Sequence, residues 1–425
     1  MDLSLNDALK EPSEPVSLGF QMLLGIANAS TLLAVIPILT ILIPAQVSQI
    51  DLAHAAANLA LVLPLGAIGA LVGNPLAGAL SDRTTSRFGR RRPWILAGTL
   101  ATSAGLALLA NSSSVFWLAV GWFIVQFFGN MLFAAYGAIL PDRVPVGQRG
   151  TTQAILGLVS PVVMIVGAYY LGRVEDVRAG YYPVILVFGA VNAVFLWFYR
   201  EPPLSPGVMP PFRLGVFLRS FWINPRRQPN FGLAWLTWLL IWSGYTLGSG
   251  GILFLYIQNV SGYTTLFPGH EVKEGVSNLQ ILQTICGMPL VMLSAILSDR
   301  WQRRKIFVSA GIGLVIAGLV VIILFPAWTM ILIAGTAMGA GFSIFYNLGL
   351  ALISQILPSA ADRGKDLGVI NIASTIPQIF VPGIAAVVLQ SFDSSSPAGF
   401  QILFVSGGLI LAVGIGLVQR IRGVH

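Results

Sequence analysis

The chain has 425 residues, of which 56% are hydrophobic and 9% charged, with a mean hydropathy of +0.81; a soluble globule carries about 25% charged residues, so that class is excluded. Its net charge of +8 is scattered over many short loops with no basic face interleaved with aromatics, which excludes a nucleic-acid partner and fits Lys and Arg retention beside membrane helices. The single cysteine, Cys286, excludes a disulfide framework and a Cys-rich metal site, and no cofactor is expected.

The N-terminal tail, 1–17, sets Asp2, Asp7, Glu11 and Glu14 against Lys10 and lacks the basic start and short apolar core of a cleaved signal. The first apolar segment is therefore expected to remain as a helix. Runs long enough for a hydrocarbon core of about 30 Å fall at 18–44, 54–80, 93–111, 115–140, 150–172, 181–199, 229–259, 276–297, 306–325, 328–357, 366–390 and 398–418, twelve in all. They predict an all-α integral membrane protein with a six-helix half at 18–199, a connection at 200–228, a second half at 229–418 and a tail at 419–425. Twenty-one of the 24 Lys and Arg lie on one side of this arrangement, which places both termini in the cytoplasm of a plasma or inner membrane. The connection carries five arginines and Pro202, Pro203, Pro206, Pro210, Pro211 and Pro225, so it reads as an extended linker, with a short surface helix over Phe212–Arg219.

Within the helices, Gly69, Gly73, Gly335 and Gly339 recur at helical spacing and are expected to bring helices close together. Pro37, Pro64, Pro161, Pro289, Pro377 and Pro382 free backbone carbonyls and permit kinks. Polar side chains in the apolar runs are more informative, because a polar group in hydrocarbon is costly unless it pairs or faces water. Asn28, Gln126, Asn130, Gln153, Gln280, Gln283, Asn347, Asn371 and Gln378 form this set, with Tyr136, Trp242, Tyr245 and Tyr346 as aromatic company. Each alone fits an interhelical hydrogen bond as well as a ligand contact. As a group, uncharged amides and aromatic faces suit a neutral polyhydroxylated solute.

No acid or base lies at a helix centre. Coupling to an ion is then either missing, which makes a facilitator, or carried by helix-end residues: Asp142, Asp366 or the Asp51–His54 pair. His54 reads first as a solvated interfacial histidine, although an ordinary pKa of about 6.5 suits a proton role. No nucleophile–base set or metal-ligand cluster occurs within the helices, so enzymatic chemistry is not expected.

Two stretches recur. Leu80-Ser81-Asp82-Arg83, followed by Arg90-Arg91-Arg92, returns as Leu297-Ser298-Asp299-Arg300, followed by Arg303-Arg304-Lys305, an offset of 217 from Asp82 to Asp299. Ile139-Leu140-Pro141 with Arg149-Gly150 returns as Ile356-Leu357-Pro358 with Arg363-Gly364, an offset of 214 from Gly150 to Gly364. Near-equal offsets at equivalent positions imply two halves related by an axis along the membrane normal, with a substrate site near mid-membrane. Acids that end helices beside basic clusters can form charge-assisted pairs in one conformer and not the other. Asp82, Arg83, Arg90 and Asp299 are therefore read as cytoplasmic latches, whereas Arg87, Arg92 and Lys305 read as topology signals.

Gly78, Asp82, Arg83, Gly89, Arg90 and Arg91 resemble the helix 2–3 loop pattern of the major facilitator superfamily, Gly-x-x-x-Asp-Arg-x-Gly-Arg-Arg, with extra residues between Arg83 and Gly89. With that insertion, Ser81–Trp94 is more similar to the plant sucrose–proton symporters and their bacterial relatives, neighbours of the glycoside-pentoside-hexuronide symporters. So are Leu140-Pro-Asp-Arg-Val-Pro-Val-Gly-Gln-Arg-Gly150 and Gly364–Gln378. The resemblance implies a major facilitator fold, alternating access, a small-molecule sugar substrate, and gating by Asp82, Arg83, Gly89, Arg90, Arg91, Asp142, Arg149, Asp299, Arg300, Arg303 and Arg304. It implies a monomer in the bilayer, with protons as a partner if transport is coupled. The family's embedded coupling charges do not carry over, since helix 2 has no acid and the helix 4 centre is Leu132-Phe-Ala-Ala-Tyr136. Efflux of amphipathic drugs is the rival transport function, and a non-transporting scaffold or receptor is the rival outside transport.

Overall fold

A computed structural model describes residues 12–215, 217, 228–356, 363–392 and 396–421, without the side chains of 354–356 and 363–367. Hydrocarbon offers backbone groups no partners, so a chain this apolar must satisfy each N–H and C=O within its own helices. Among the described residues it does so in twelve helices long and apolar enough to cross a membrane, with no strand. They are α1 (Leu18–Ile50), α2 (Ala55–Ser81), α3 (Arg92–Asn111), α4 (Val115–Arg143), α5 (Val146–Arg173) and α6 (Tyr181–Phe198). After the linker come α7 (Pro229–Asn259), α8 (Val272–Trp301), α9 (Arg304–Leu324), α10 (Trp328–Ile356), α11 (Arg363–Gln390) and α12 (Ala398–Arg420).

The departures from the sequence bounds have local causes. Helix α1 continues six residues past 44, through a π turn at Ile38–Leu42 that directly follows Pro37; a proline cannot donate, and a wider turn relieves the ladder there. Helix α7 is not continuous over 229–259: it stops at Thr246 and restarts at Gly250, which has φ +57°. Helix α8 starts at Val272 instead of 276, because Glu271 and Glu274 form a capping box ahead of the apolar run. In the linker, Leu214 and Gly215 are helical and the Phe217 N–H bonds to the Arg213 carbonyl at 3.0 Å; the remainder of the helix expected over Phe212–Arg219 lies outside the described residues.

The chain forms two compact units. One comprises Met1–Ile38, Leu65–Gly167 and Val174–Phe217; the other comprises Leu39–Pro64, Ala168–Arg173 and Leu218–His425. In the first, α2, α3 and α4 approach through glycines: a Cβ on Gly69 would lie 2.9 Å from the Phe123 carbonyl oxygen, and one on Gly73 would overlap that of Phe127. In the second, a Cβ on Gly311 of α9 would lie 2.6 Å from the Gly341 carbonyl of α10, while Gly335 and Gly339 of α10 lie against Leu279 and Gln283 of α8. Lipid tails are as apolar as leucine, so helices associate through such close contacts more than through water exclusion.

Gly73→Ala should therefore lower the melting temperature of the solubilised protein, with an overpacking cost of about 1–3 kcal/mol. Gly189→Ala, whose new methyl meets nothing within 4 Å, should leave it unchanged or raise it. Equal shifts for the two would remove close helix approach as the reason for Gly73.

Candidate functional site

A cluster of ion pairs sits where α2 gives way to α3, in the first unit. Arg91, whose side chain is 4% exposed, places Nη2 at 2.6 Å from Asp82 Oδ1 and Nε at 3.0 Å from Asp142 Oδ2, and Nη1 donates to the Ser81 hydroxyl. Arg90, also buried, lies 3.2 Å from the same Asp142 oxygen. Burial disfavours the Arg91 guanidinium, but the carboxylates of Asp142 and Asp82 outweigh it and hold its pKa above the ordinary arginine value. Ends of α2 and α4 are thereby pinned to the start of α3. Arg83 is engaged elsewhere, with Nη1 on the Ala79 carbonyl, Nε on that of Pro210 and its guanidinium 6.0 Å from the Phe212 ring. Arg149 donates to the carbonyls of Val144 and Pro141, closing the C-terminal end of α4 where a cation is favoured.

Glu201 completes this cluster and was not among the candidates. Its Oε1 accepts from the backbone N–H of Arg91 at 2.5 Å and of Arg92 at 2.9 Å, and its Oε2 accepts from the Tyr199 hydroxyl at 3.3 Å. Gly89 makes room for it: the backbone there has φ +99°, and a Cβ would overlap Glu201. The available signal was that Glu201 is the one acid in the arginine-rich segment 200–228.

The second unit repeats the arrangement in reduced form. Asp299 pairs with Arg304 at 2.8 Å. Gln302 takes the left-handed place of Gly89, with φ +54°, which aligns Arg304 with Arg91 and Arg303 with Arg90. Arg300 and Arg303 are exposed and make no ion pair among the described residues. Ser298, the counterpart of Ser81, is buried with its hydroxyl unpartnered among the described residues.

The polar candidates divide between the units. In the first, the Tyr136 hydroxyl donates to Asn192 Oδ1, and Asn192 Nδ2 donates to Ser30 Oγ at 3.2 Å, a buried network joining α4, α6 and α1. Asn130 Nδ2 donates to the Gln126 carbonyl at 2.8 Å, Gln126 is buried, and Gln153 is exposed. Asn28 is half-buried and makes no hydrogen bond with a described residue.

In the second unit, Trp238, Trp242 and Tyr245 share one face of α7, at spacings of four and three, and meet Phe342, Phe345 and Tyr346 of α10. Tyr245 stacks on Phe342 with centroids 3.7 Å apart, and Trp242 stands edge-on to Phe342 at 4.9 Å and to Tyr346 at 6.4 Å. The hub of this cluster, Phe342, was not singled out in the sequence; its spacing to Phe345 and Tyr346 was the readable sign. Trp242 Nε1 is buried without a hydrogen-bond partner among the described residues. Asn347 Nδ2 donates to the Ser343 carbonyl at 2.9 Å and Gln378 Nε2 to the Ser374 carbonyl at 3.0 Å. Since a carbonyl only accepts, each amide spends its nitrogen on its own helix, which leaves Asn347 Oδ1 and Gln378 Oε1 as acceptors. Asn371 Oδ1 accepts from Ser374 at 3.2 Å, Gln283 donates to the Gly335 carbonyl at 2.8 Å, and Gln280 accepts from Thr40 at 3.0 Å. The last two amides are spent on helix–helix contacts.

Of the coupling candidates, Asp51 and His54 form an exposed pair at 2.9 Å. Desolvation pulls the Asp51 carboxyl upward, but hydrogen bonds from the His54 side chain and backbone outweigh it and leave Asp51 below its ordinary value. Asp142 is engaged by Arg90 and Arg91, and the Asp366 side chain lies outside the described residues. No group of three or more His, Cys, Asp or Glu able to hold a metal occurs among the described residues.

A family model described as Major Facilitator Superfamily matches residues 18–270 and 273–423. The chain is 24% identical over 421 residues to the sucrose transport protein SUC4 of Arabidopsis thaliana, covering 81% of this chain and 79% of that one. It is 20% identical over 439 residues to the sucrose transport protein SUT3 of Oryza sativa subsp. indica, covering 84% and 85%. Its fold matches a crystal structure of the nucleoside transporter NupG with a TM-score of 0.76 at 11% identity, covering 95% of this chain and all of that one.

Removing the Glu201 carboxyl as Glu201→Ala leaves two N–H groups unpaired, and the solubilised protein should lose about 1–3 kcal/mol of stability. Glu201→Gln keeps an acceptor oxygen and should lose less. Asp142→Asn should cost more than Asp82→Asn, because Asp142 faces two buried guanidinium groups and its side chain is 20% exposed against 42% for Asp82. Thermal melting of the four variants checks the order, and identical losses would contradict it.

Proposed function

The chain belongs to the Major Facilitator Superfamily, and we propose that, as a secondary transporter of that family, it moves a neutral sugar or glycoside by exposing its substrate site alternately to each side of the membrane. The observation that carries the substrate class is the α7–α10 aromatic face, where Trp242 holds a buried, unpaired N–H, together with the amide oxygens of Asn347 on α10 and Gln378 on α11, whose nitrogens are spent on their own helices. Sugar hydroxyls both donate and accept, and the C–H face of a pyranose packs on rings, so one solute satisfies all three kinds of group. No charged side chain takes part in this set, as a neutral solute requires. The sucrose transport proteins aligned along some four-fifths of the chain support the same class. Asn28, Gln126, Asn130 and Gln153 remain further candidates for contact.

The membrane is proposed to be a plasma or inner membrane with both termini cytoplasmic, on the distribution of Lys and Arg. Proton coupling is the favoured mode because of the sucrose–proton symporter resemblance, with Asp51, His54, Asp142 and Asp366 as the groups to carry it.

A second reading, efflux of amphipathic drugs, is favoured by the same six rings, since Phe342 and Phe345 bring no polar handle. Trp242→Phe separates the two. It keeps a ring and deletes the N–H, so sugar affinity should fall by about 1 kcal/mol, the net worth of one hydrogen bond, while binding of an apolar cation should stand. Thermal-shift titration with sucrose, maltose, aryl glycosides and a panel of drugs reads this directly. Stabilisation by drugs alone would replace the sugar reading. Uptake into proteoliposomes under an imposed pH gradient then tests coupling: accumulation above equilibrium is expected, and plain equilibration would make the protein a facilitator.

A further inference from the structure

The two units share a longer stretch than their acid–base pairs. Arg87-Phe88-Gly89-Arg90-Arg91-Arg92 returns as Arg300-Trp301-Gln302-Arg303-Arg304-Lys305, in step over six residues at an offset of 213. The last two positions do the same work in each unit. Arg91 holds Asp82 at 2.6 Å and Arg304 holds Asp299 at 2.8 Å. Arg92 Nη2 donates to the Leu196 carbonyl at 2.8 Å and Lys305 Nζ to the Ile421 carbonyl at 2.5 Å, so each cation reaches the C-terminal end of α6 or α12, where positive charge is favoured.

The first two positions have no such work. Arg87 and Arg300 are exposed, and neither makes a hydrogen bond or ion pair with a described residue. The ring beside each is open as well, Phe88 at 52% and Trp301 at 56% exposure. Arg87 Cζ lies 4.7 Å from the centroid of the Phe88 ring, and Trp301 meets Phe307 at 5.5 Å between centroids. Helices α2 and α8, which lead into these turns, have 27 and 30 residues, about 40 and 45 Å at 1.5 Å per residue. A bilayer with its headgroups is about 40–45 Å thick, so helices of this length carry their ends into the headgroup layer. Exposed apolar residues follow at once, Leu96 and Leu100 on α3 and Ile306 on α9. A ring at that depth rests on the boundary of the acyl chains, and a guanidinium beside it presents paired N–H groups that match a phosphate.

We propose that Arg87–Phe88 and Arg300–Trp301 are two headgroup sites, one on each unit, for an anionic phospholipid of the surrounding bilayer. The guanidinium takes the phosphate and the ring lies against the first acyl carbons. At the second site Arg303 adds a further cation, because it is exposed where its counterpart Arg90 is buried against Asp142. The acids of the two turns, Asp82 and Asp299, are paired with Arg91 and Arg304, which leaves no carboxylate there for the ammonium group of a zwitterionic lipid. The inference is independent of the transported solute.

The test uses the full chain, delipidated in a neutral detergent, with phosphatidylglycerol, phosphatidylcholine and glycerol 3-phosphate as probes. Native mass spectrometry should count two tightly held phosphatidylglycerol molecules. Arg87→Gln or Arg300→Gln should each weaken one of them by about fivefold, the worth of one arginine near a membrane surface. Phe88→Ala and Trp301→Ala should weaken the same lipids. Without lipid, the Arg87→Gln, Arg300→Gln double variant should melt with the native protein, since neither guanidinium bonds within the fold. A lower lipid-free melting temperature would mean that the arginines serve the fold, and it overturns the proposal. So does phosphatidylcholine bound as tightly as phosphatidylglycerol, displacement of the lipid by glycerol 3-phosphate, which marks a site for soluble anions, or phosphatidylglycerol binding undiminished in the double variant.

Discussion

Hydrocarbon gives a polar group no partner, and that constraint organises this molecule at every level. It forces the backbone into helices, and it forces most side-chain hydroxyls and amides back onto their own helices. Thr99 donates to the Ile95 carbonyl, Thr237 to Leu233, Thr284 to Gln280 and Thr336 to Leu332, each four residues earlier. With hydrophobic exclusion weakened as a driving force, glycine contacts and a small number of interhelical hydrogen bonds do the joining. The network of Ser30, Tyr136 and Asn192 is one of these, and all three residues are buried.

At the helix ends, where water returns, ion pairs take over. The cluster around Arg91 holds three helix ends and the chain beyond α6 with one guanidinium, two carboxylates and a carboxylate that grips backbone N–H groups. Its counterpart at Arg304 keeps the left-handed residue and the acid–base pair, and in the sequence the position 217 after Asp142 is Ser359. Four extra residues between Asp82 and Arg91 widen the first loop, and Glu201 occupies the space beside it. Among the described residues the repeat is thus alike in its left-handed turn and acid–base pair, while the first unit carries more ion pairs at its helix ends.

The fold was legible because its signal is coarse. Twelve runs of apolar residues can hardly be anything but twelve spans; a capping box, a π turn after Pro37 and a glycine break account for the departures at Val272, Ile38 and Gly250, and α4 and α5 extend beyond their apolar runs to Arg143 and from Val146. The offset of Asp82 and Asp299 likewise showed two matching ion-pair sites in advance. The polar candidates were less legible for a physical reason. Sequence shows that a side chain is polar and embedded, but whether it spends its hydrogen bonds on a neighbour depends on helix rotation by a fraction of a turn. Gln280 and Gln283 lie on one side of that line, bonded to Thr40 and Gly335, and Trp242 on the other. Glu201 was hidden by the opposite problem: it sits in a loop, where an acid among arginines looks like ordinary solvated charge until its oxygens are found on two backbone N–H groups.

The same bookkeeping of donors explains why a satisfied amide still has chemistry to offer. Asn347 and Gln378 each meet the demand of hydrocarbon by donating to a carbonyl of their own helix, and that bond fixes which end of the amide is left over. Because the donor end is consumed, the residues present acceptors whose direction is set by the helix and not by a flexible rotamer. Trp242 presents the complementary donor from a ring held edge-on against Phe342. On the proposed sugar reading, a set of this kind would lose little side-chain freedom on binding, since the rings and the helices have already taken up that cost in folding. On that reading it would also discriminate: a hydroxylated solute would leave neither donor nor acceptors unpaired, whereas a purely apolar one of the same size would bury all three without a partner.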